Sequence, residues 1–157
     1  MTILRTTSEN KDFINLVEEL DAYLKITDGD EHEFYNQFNT IETLKNVVVA
    51  YENETAVGCG AFKPFDDNSV EIKRMFVFPS NRTKGIGALI LKELENWASL
   101  IGYSSCVLET GKRQTEAVQF YKKCGYYEIP NYGQYKNMEN SLCFKKEFKI
   151  RMNKDSE

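Results

Sequence analysis

The segment that most constrains the fold is a strand, a glycine-containing loop and a long helix, which follow one another between residues 70 and 102. The mostly apolar run 70–78 predicts a strand, and Pro79 ends it because proline has no N–H for a sheet ladder. From about residue 84 to 100 apolar side chains recur every three or four positions, which predicts an amphipathic helix. Gly102 is placed to end that helix in the left-handed conformation. This unit requires a sheet with a helix packed on one face.

The whole chain reads in the order β-α-α-β-β-β-α-β-α-β-β, which predicts an α/β fold of the mixed α+β type. Further strands are expected at 2–6, 47–51, 55–62, 105–109, 126–129 and 142–150, and further helices after a Ser8 cap, around Phe34 and Phe38, and at 115–124. The strands 70–78 and 105–109 are joined through a helix and should be parallel, in a largely antiparallel sheet. We expect about six or seven strands and about four helices in one domain over 1–151, with a polar tail over 152–157.

Composition excludes several classes of protein. The 157 residues suit a single domain, and 20 basic against 24 acidic residues give a net charge of −4, which argues against a general nucleic-acid binder. No run approaches the roughly 18 apolar residues of a membrane span, and the first residues lack the pattern of a secretory signal. We therefore expect a cytoplasmic protein without a membrane or nucleic-acid partner.

The four cysteines are widely spaced and contain no CxxC pair, so buried free thiols are expected. His32 is the only histidine, and no cluster has the spacing of metal ligands, so no metal is expected. The same lone histidine makes a Ser-His-Asp or Cys-His triad difficult to build.

The loop NRTKGIGA, residues 81–88, carries the most chemical information. N–H groups at a helix N-terminus can hold a phosphate, and Gly85 and Gly87 allow a close approach of the backbone. The dinucleotide pattern GxGxxG fails at Ile90, and the nucleotide P-loop fails because Lys84 precedes the glycine. Taken alone, an ordinary glycine turn before a core helix explains the loop about equally well.

Combined with EIKRMFVFP (71–79) and EAVQFYKKCGYYEI (116–129), the loop resembles the GNAT superfamily of acyl-CoA-dependent N-acetyltransferases over about residues 70–129. The resemblance implies a sheet whose two parallel strands splay apart, and acetyl-CoA bound between them. It places the pyrophosphate on Arg82, Thr83, Lys84, Gly85, Ile86, Gly87 and Ala88, and the pantetheine arm on Met75, Phe76 and Val77. Gln114 stands where many relatives carry asparagine, and Thr83 where glycine is frequent.

The resemblance also suggests catalytic residues for direct attack by an amine within a ternary complex. Tyr121 is expected beside the cofactor sulfur, where it protonates the leaving thiolate. Glu71 is the candidate general base, because an alkyl amine must lose a proton before it attacks. A solvated Glu71 paired with Lys73 is an equally good interpretation. A backbone N–H of Phe76 or Val77 is expected to bind the oxyanion.

The acceptor amine, a small molecule or a protein, should lie outside the cofactor module. Asp28, Asp30, Glu31 and Glu33 attract cations, although a solvated charged surface is the favoured interpretation. Candidates for lining its pocket are Tyr132, Tyr135, Asn137 and His32, against the alternatives of a surface loop and a partly buried histidine. A homodimer is possible.

Two other functions remain open at this point. A non-catalytic acyl-CoA-binding or sensing domain would keep the loop without turnover. A protein that binds ATP or NAD through the same loop is disfavoured by the two motif failures.

Overall fold

A computed structural model of the protein describes residues 1–28 and 43–148. The elements are β1 (Thr2–Thr6), α1 (Lys11–Asp28), β2 (Asn46–Glu52), β3 (Thr55–Pro64), β4 (Ser69–Val77), α2 (Ile86–Leu100), β5 (Ser105–Gly111), α3 (Thr115–Lys123), β6 (Tyr127–Ile129) and β7 (Ser141–Glu147). Short 3-10 turns lie at Pro79–Asn81 and Gly133–Tyr135. The described residues thus contain three α-helices, one fewer than expected. The predicted helix around Phe34 and Phe38 and the predicted tail lie outside them.

The seven strands form one sheet in the order β1-β2-β3-β4-β5-β7-β6. Every neighbouring pair is antiparallel except β4 and β5, which are parallel. The mixed fold and the single parallel pair agree with the sequence prediction. Within the described residues, no helix is both long and apolar enough to cross a bilayer.

Each face of the sheet buries its own apolar cluster. On one face α2 and α3 pack on residues such as Val70, Ile72 and Leu108. On the other face α1 packs Phe13, Leu16 and Leu20 on the opposite-facing residues of β2 and β3. We call these the α2/α3 face and the α1 face.

The start of α1 differs from the prediction. Asn10, not Ser8, caps this helix, because its Oδ1 accepts the N–H of Phe13 at 3.0 Å. The hydroxyl oxygen of Ser8 instead accepts the N–H of Leu44 at 2.9 Å, which fixes the segment before β2. Both residues suit a helix cap, and only the tertiary contact with Leu44 separates their roles.

A polar contact within the α2/α3 face was missed by the sequence pattern. Glu95 falls outside the apolar stripe of α2, yet it is buried. Its carboxylate accepts the Tyr126 hydroxyl at 2.9 Å and the Lys146 ammonium at 3.0 Å. These bonds tie α2 to β7 and to the chain that follows α3.

Candidate active site

The centre of the sheet opens between its two parallel strands. β4 and β5 pair only over Ser69–Glu71 and Ser105–Val107, and their remaining residues separate. β4 also contains a bulge, since two residues, Arg74 and Met75, stand opposite Gly60 alone in β3. A bulge bends its strand. The gap therefore exposes backbone polar groups on the inner edges of both strands.

A cavity of about 120 Å³ occupies this gap. Four of the predicted site residues line it, namely Glu71, Met75, Gln114 and Tyr121. The other lining residues include Leu20 and Leu24 of α1, Lys73 and Arg74 of β4, Glu109 and Thr110 of β5, and Tyr135. The structure thus brings together the two predicted catalytic side chains and residues from five separate parts of the chain.

Gly85 sets the geometry of the loop at the start of α2. It is the N-cap residue, in the left-handed conformation with φ 81°, and no side chain caps this helix end. Glycine adopts that conformation without strain. The first-turn N–H groups, contributed by Ile86, Gly87 and Ala88, are therefore available to an anion.

Gly87 lies in a close contact between α2 and α3. A Cβ at this position would lie 3.2 Å from the ring of Phe120, a residue of α3. The glycine thus allows α2 and α3 to approach each other at the mouth of the gap.

Arg82 holds the loop onto the end of β4. Its Nε donates to the carbonyl oxygen of Val77 at 2.8 Å, and its guanidinium lies 5.1 Å from the ring centre of Tyr23 and 5.7 Å from that of Phe76. Lys84 is half exposed and lies 3.6 Å from Glu52. Both cations therefore lie at the loop, close to the N-terminus of α2.

Thr83 stands at a position where the family that the chain resembles frequently has glycine. The backbone conformation at this position explains why glycine is frequent there. Its φ is 70°, in the left-handed region that β-branched residues rarely adopt. Its hydroxyl donates to the carbonyl oxygen of Arg82 at 2.5 Å. The threonine is therefore held in a strained conformation that glycine would adopt freely.

Tyr121 lies at the base of the cavity among aromatic rings. It is 8% exposed, and its ring centre lies 5.2 Å from Phe120 and 5.9 Å from Tyr126. Burial, with a smaller effect of Cys124 and Glu109, raises the pKa of its phenol far above the usual value near 10. The hydroxyl consequently stays protonated throughout the neutral range.

Glu71 stands where the parallel pairing ends. It is 4% exposed, and its carboxylate accepts the hydroxyl of Tyr132 at 2.7 Å. The solvated strand-end interpretation is therefore wrong, because this carboxylate is buried and hydrogen-bonded. Burial and the charge of Glu71 in turn raise the pKa of Tyr132 well above its usual range.

Glu109 is a second carboxylate of the cavity that the sequence reasoning missed. Its charge raises the pKa of Tyr121 and, after burial, is the largest influence that raises the pKa of Tyr135. The signal was present in the sequence, since a glutamate inside the apolar run SCVLE is unusual for a buried strand. Lys73 and Arg74 gave the same kind of signal in β4.

The predicted acceptor residues separate into three groups. Tyr132 and Tyr135 pack edge to face, with their ring centres 5.9 Å apart. Tyr135 lines the cavity directly, whereas Tyr132 is connected to it through its hydrogen bond to Glu71. Asn137 is exposed and does not line the cavity. Asp30, Glu31, His32 and Glu33 lie outside the described residues, and α1 ends at Asp28.

Comparison with known proteins agrees with this geometry. The family model described as Acetyltransferase (GNAT) family matches residues 13–126. The chain is 34% identical over 141 residues to an IAA acetyltransferase of Azospirillum brasilense, across 86% of this chain and 90% of that protein. It is 38% identical over 81 residues to an uncharacterized N-acetyltransferase of Schizosaccharomyces pombe, across 51% of this chain and 50% of that protein.

Solved structures share the fold. A protein of Klebsiella pneumoniae assigned as an acyl-CoA N-acyltransferase superposes with a TM-score of 0.78 at 26% identity, over 94% of this chain and 97% of that one. A GNAT acetyltransferase of Elizabethkingia anophelis, solved with acetyl-CoA bound, gives 0.68 at 22% identity over the same shares. None of these comparisons supports a non-catalytic sensor. The chain belongs to the GNAT family of acetyl-CoA-dependent N-acetyltransferases.

Proposed function

We propose that this protein transfers the acetyl group of acetyl-CoA to a primary amine by direct attack within a ternary complex, with Tyr121 and Glu71 as its catalytic residues. The observation that carries the proposal is the cavity in the gap between β4 and β5, which both side chains line. The N-terminus of α2 lies at the other end of β4, beyond Val77. A long cofactor bound along β4 therefore reaches from that helix end to the two side chains.

Residues of the loop 82–88 hold the cofactor's pyrophosphate in this proposal. The first-turn N–H groups of α2 bind the phosphate oxygens, with Arg82 and Lys84 adding positive charge. The pantetheine arm follows β4 along Met75, Phe76 and Val77, and Gln114 contacts it from the start of α3. Support comes from the uncapped helix end and from the unpaired edge of β4.

The direction of the backbone distinguishes two candidates for the oxyanion donor. The N–H of Phe78 donates to Val57 in β3, and N–H directions alternate along a strand. Phe76 therefore directs its N–H toward β3, whereas Val77 directs its N–H toward the open gap. We assign Val77 as the donor that faces the cofactor.

Proton transfers complete the reaction. Glu71, directly or through a water molecule, takes a proton from the acceptor ammonium, and the neutral amine attacks the thioester carbonyl carbon. The tetrahedral intermediate collapses with cleavage of the C–S bond, and the thiolate of CoA receives a hydrogen bond and then a proton from Tyr121. Because its raised pKa keeps the Tyr121 hydroxyl protonated, that hydroxyl is available to donate the hydrogen bond as the C–S bond breaks. The second proton of the attacking nitrogen leaves to solvent as the amide forms, and solvent returns a proton to the Tyr121 phenolate. The proton taken by Glu71 is the one released in each turnover.

The same proposal places the protein in the cytoplasm as one domain over residues 1–151, without a resident metal. Three of its free cysteines are buried and the fourth is half-buried, which suits a reducing compartment. A net charge of −4 disfavours nucleic-acid partners. Homodimerisation is compatible with these features.

Release of thiol from acetyl-CoA, measured across a panel of amines, tests the activity. Tyr121→Phe should lower kcat about 10- to 100-fold while the Kd of CoA stays within about twofold, because only a hydroxyl is removed. Tyr126→Phe is the matched control, since its hydroxyl binds Glu95 and not the cavity. That variant should lose about 1–3 kcal/mol of stability and little kcat. Equal kcat losses in the two variants would remove Tyr121 from the mechanism.

A further inference from the structure

Arg74 is a buried cation in an unusual backbone conformation. It is one of the two residues of the β4 bulge, with φ 61°, in the left-handed region. Its side chain is only 7% exposed and lines the cavity. A strained, buried arginine beside a proposed active site calls for a compensating interaction.

Among the described residues, the guanidinium of Arg74 makes one weak ion pair. Its Nη1 donates to Oδ1 of Asp21 on α1 at a long distance of 3.3 Å, and the Asp21 side chain is 39% exposed. No other hydrogen bond or ion pair of the guanidinium is present among residues 1–28 and 43–148. An arginine has five N–H donors, so within this part of the chain only one of them is engaged.

The charges that surround the cavity have both signs. Glu71 and Glu109 supply carboxylates, whereas Lys73 and Arg74 supply cations. A purely cationic amine would meet two like charges in a buried site. A molecule that carries an ammonium and a carboxylate satisfies both signs.

We propose that the guanidinium of Arg74 binds a carboxylate of the acceptor, so that the acceptor is a small amine that also carries a carboxylate, in the manner of an amino acid. The planar fork of arginine matches a carboxylate through two parallel hydrogen bonds. The acceptor ammonium then faces Glu71, three residues earlier on the same strand. This inference rests on the proposed acetyl transfer, since it names the substrate class of the same site.

The structural alternative gives Arg74 only the task of joining α1 to β4 through Asp21. That role would affect every acceptor alike, because it concerns the cavity wall formed by Leu20 and Leu24. Selective recognition affects only acceptors with a carboxylate. The two roles therefore differ in how activity depends on the acceptor.

The test compares amino acids with their carboxamides, such as lysine with lysinamide and phenylalanine with phenylalaninamide. The unaltered protein should favour the acids at least about tenfold in kcat/KM, the size expected for a charge-assisted pair. Arg74→Gln should lower kcat/KM for the acids about 10- to 100-fold and change that for the amides less than about threefold. Arg74→Lys should fall between, because it keeps the charge and loses the fork.

Asp21→Asn separates recognition from the structural role, since it removes the partner of Arg74 and leaves the guanidinium in place. It should retain the preference for acids. Equal losses for acids and amides in both Arg74→Gln and Asp21→Asn would overturn the inference, as would an unaltered protein that accepts amides as well as acids. If Arg74→Gln does not fold, the ratio in the unaltered protein and in Asp21→Asn decides.

A binding measurement keeps this inference distinct from the proposed activity. Calorimetric titration of each acid and amide into the protein with bound CoA reads the preference without turnover. Thiol release with amides, together with no preference for acids in binding, would contradict only the proposed role of Arg74. Preferential binding of acids without thiol release from any amine would sink the proposed catalysis and leave the carboxylate site standing.

Discussion

The cofactor region and the acceptor region of this protein are built in different ways. The proposed cofactor region is mainly one continuous stretch, from β4 through the loop 82–88 into α2, and it offers mostly backbone N–H groups. The proposed acceptor region offers side chains from distant segments, including Glu71, Arg74, Glu109 and Tyr135. Backbone recognition depends on local conformation and leaves a motif in the sequence. Side-chain recognition depends on tertiary contacts and leaves isolated polar residues.

Gly87→Glu should produce the largest effect, and it should disrupt the proposed CoA-binding region without changing the proposed acceptor region. The substitution places a Cβ 3.2 Å from the ring of Phe120 and a carboxylate at the phosphate site. We expect CoA binding to weaken by at least about 10³-fold, or about 4 kcal/mol, by calorimetry.

Leu89→Glu is the matched control for that change, because it adds the same charge at a half-exposed position two residues further along α2. It should weaken CoA binding less than about tenfold. Comparable losses in both variants would mean that overall charge, and not the first turn of the helix, determines binding.

Glu71→Gln should break the acceptor region while CoA still binds. Loss of the general base should lower kcat/KM for the amine about 100-fold. Glu109→Gln, the matched change of the other carboxylate in the cavity, should lower it less than about tenfold. The opposite result, with the larger loss in Glu109→Gln, would transfer the role of base to Glu109.

The stability of both faces should fall at alkaline pH. Burial raises the pKa of Cys59 on the α1 face and of Cys106 on the α2/α3 face to about 12 each, whereas a thiol in the unfolded chain has a pKa of about 8.5. Above that value the unfolded chain loses protons that the native chain keeps, so rising pH favours unfolding. Each thiol should remove about 1.0 kcal/mol between pH 8.5 and 9.5.

Denaturant unfolding between pH 7.5 and 9.5 under reducing conditions measures this dependence. Cys59→Ala and Cys106→Ala should each be less stable at neutral pH and show a shallower decline with pH. An unchanged slope in one variant would mean that the thiol on that face does not stay neutral in the native state.

Thr83→Gly should give the smallest effect and tests whether the backbone of the loop is strained at this position. Glycine adopts the left-handed conformation without strain, and this gain should exceed the cost of its greater freedom in the unfolded chain. The free energy of unfolding, measured by heat or denaturant, should therefore rise by about 1 kcal/mol. Thr83→Ala is the control, since it removes the hydroxyl and keeps the Cβ. A gain in stability from alanine equal to that from glycine would assign the effect to the side chain and not to the backbone.

The sequence predicted the backbone of the proposed cofactor region better than the side-chain contacts of the proposed acceptor region. The strand, the loop and the helix up to Gly102 follow from periodicity and from residues with special backbone preferences, and Gly102 indeed has φ 105°. The burial of Glu95 does not follow from the sequence, because a helical pattern cannot show that Tyr126 and Lys146 reach its carboxylate. Ser8 was misassigned because its partner, Leu44, is 36 positions away.

By itself the sequence determined the order of the described elements, the single parallel pair and the glycine loop, because hydrophobic period, proline and glycine act on neighbouring residues. Only the tertiary structure decided that the expected separation of β4 from β5 begins after Glu71, that Arg74 occupies a bulge, and that Glu71, Glu109 and Tyr135 come together. Those features arise from strand register and from contacts between residues far apart in the chain. Local pattern cannot encode such contacts, since the same residue types would be solvated wherever the register differed by one position.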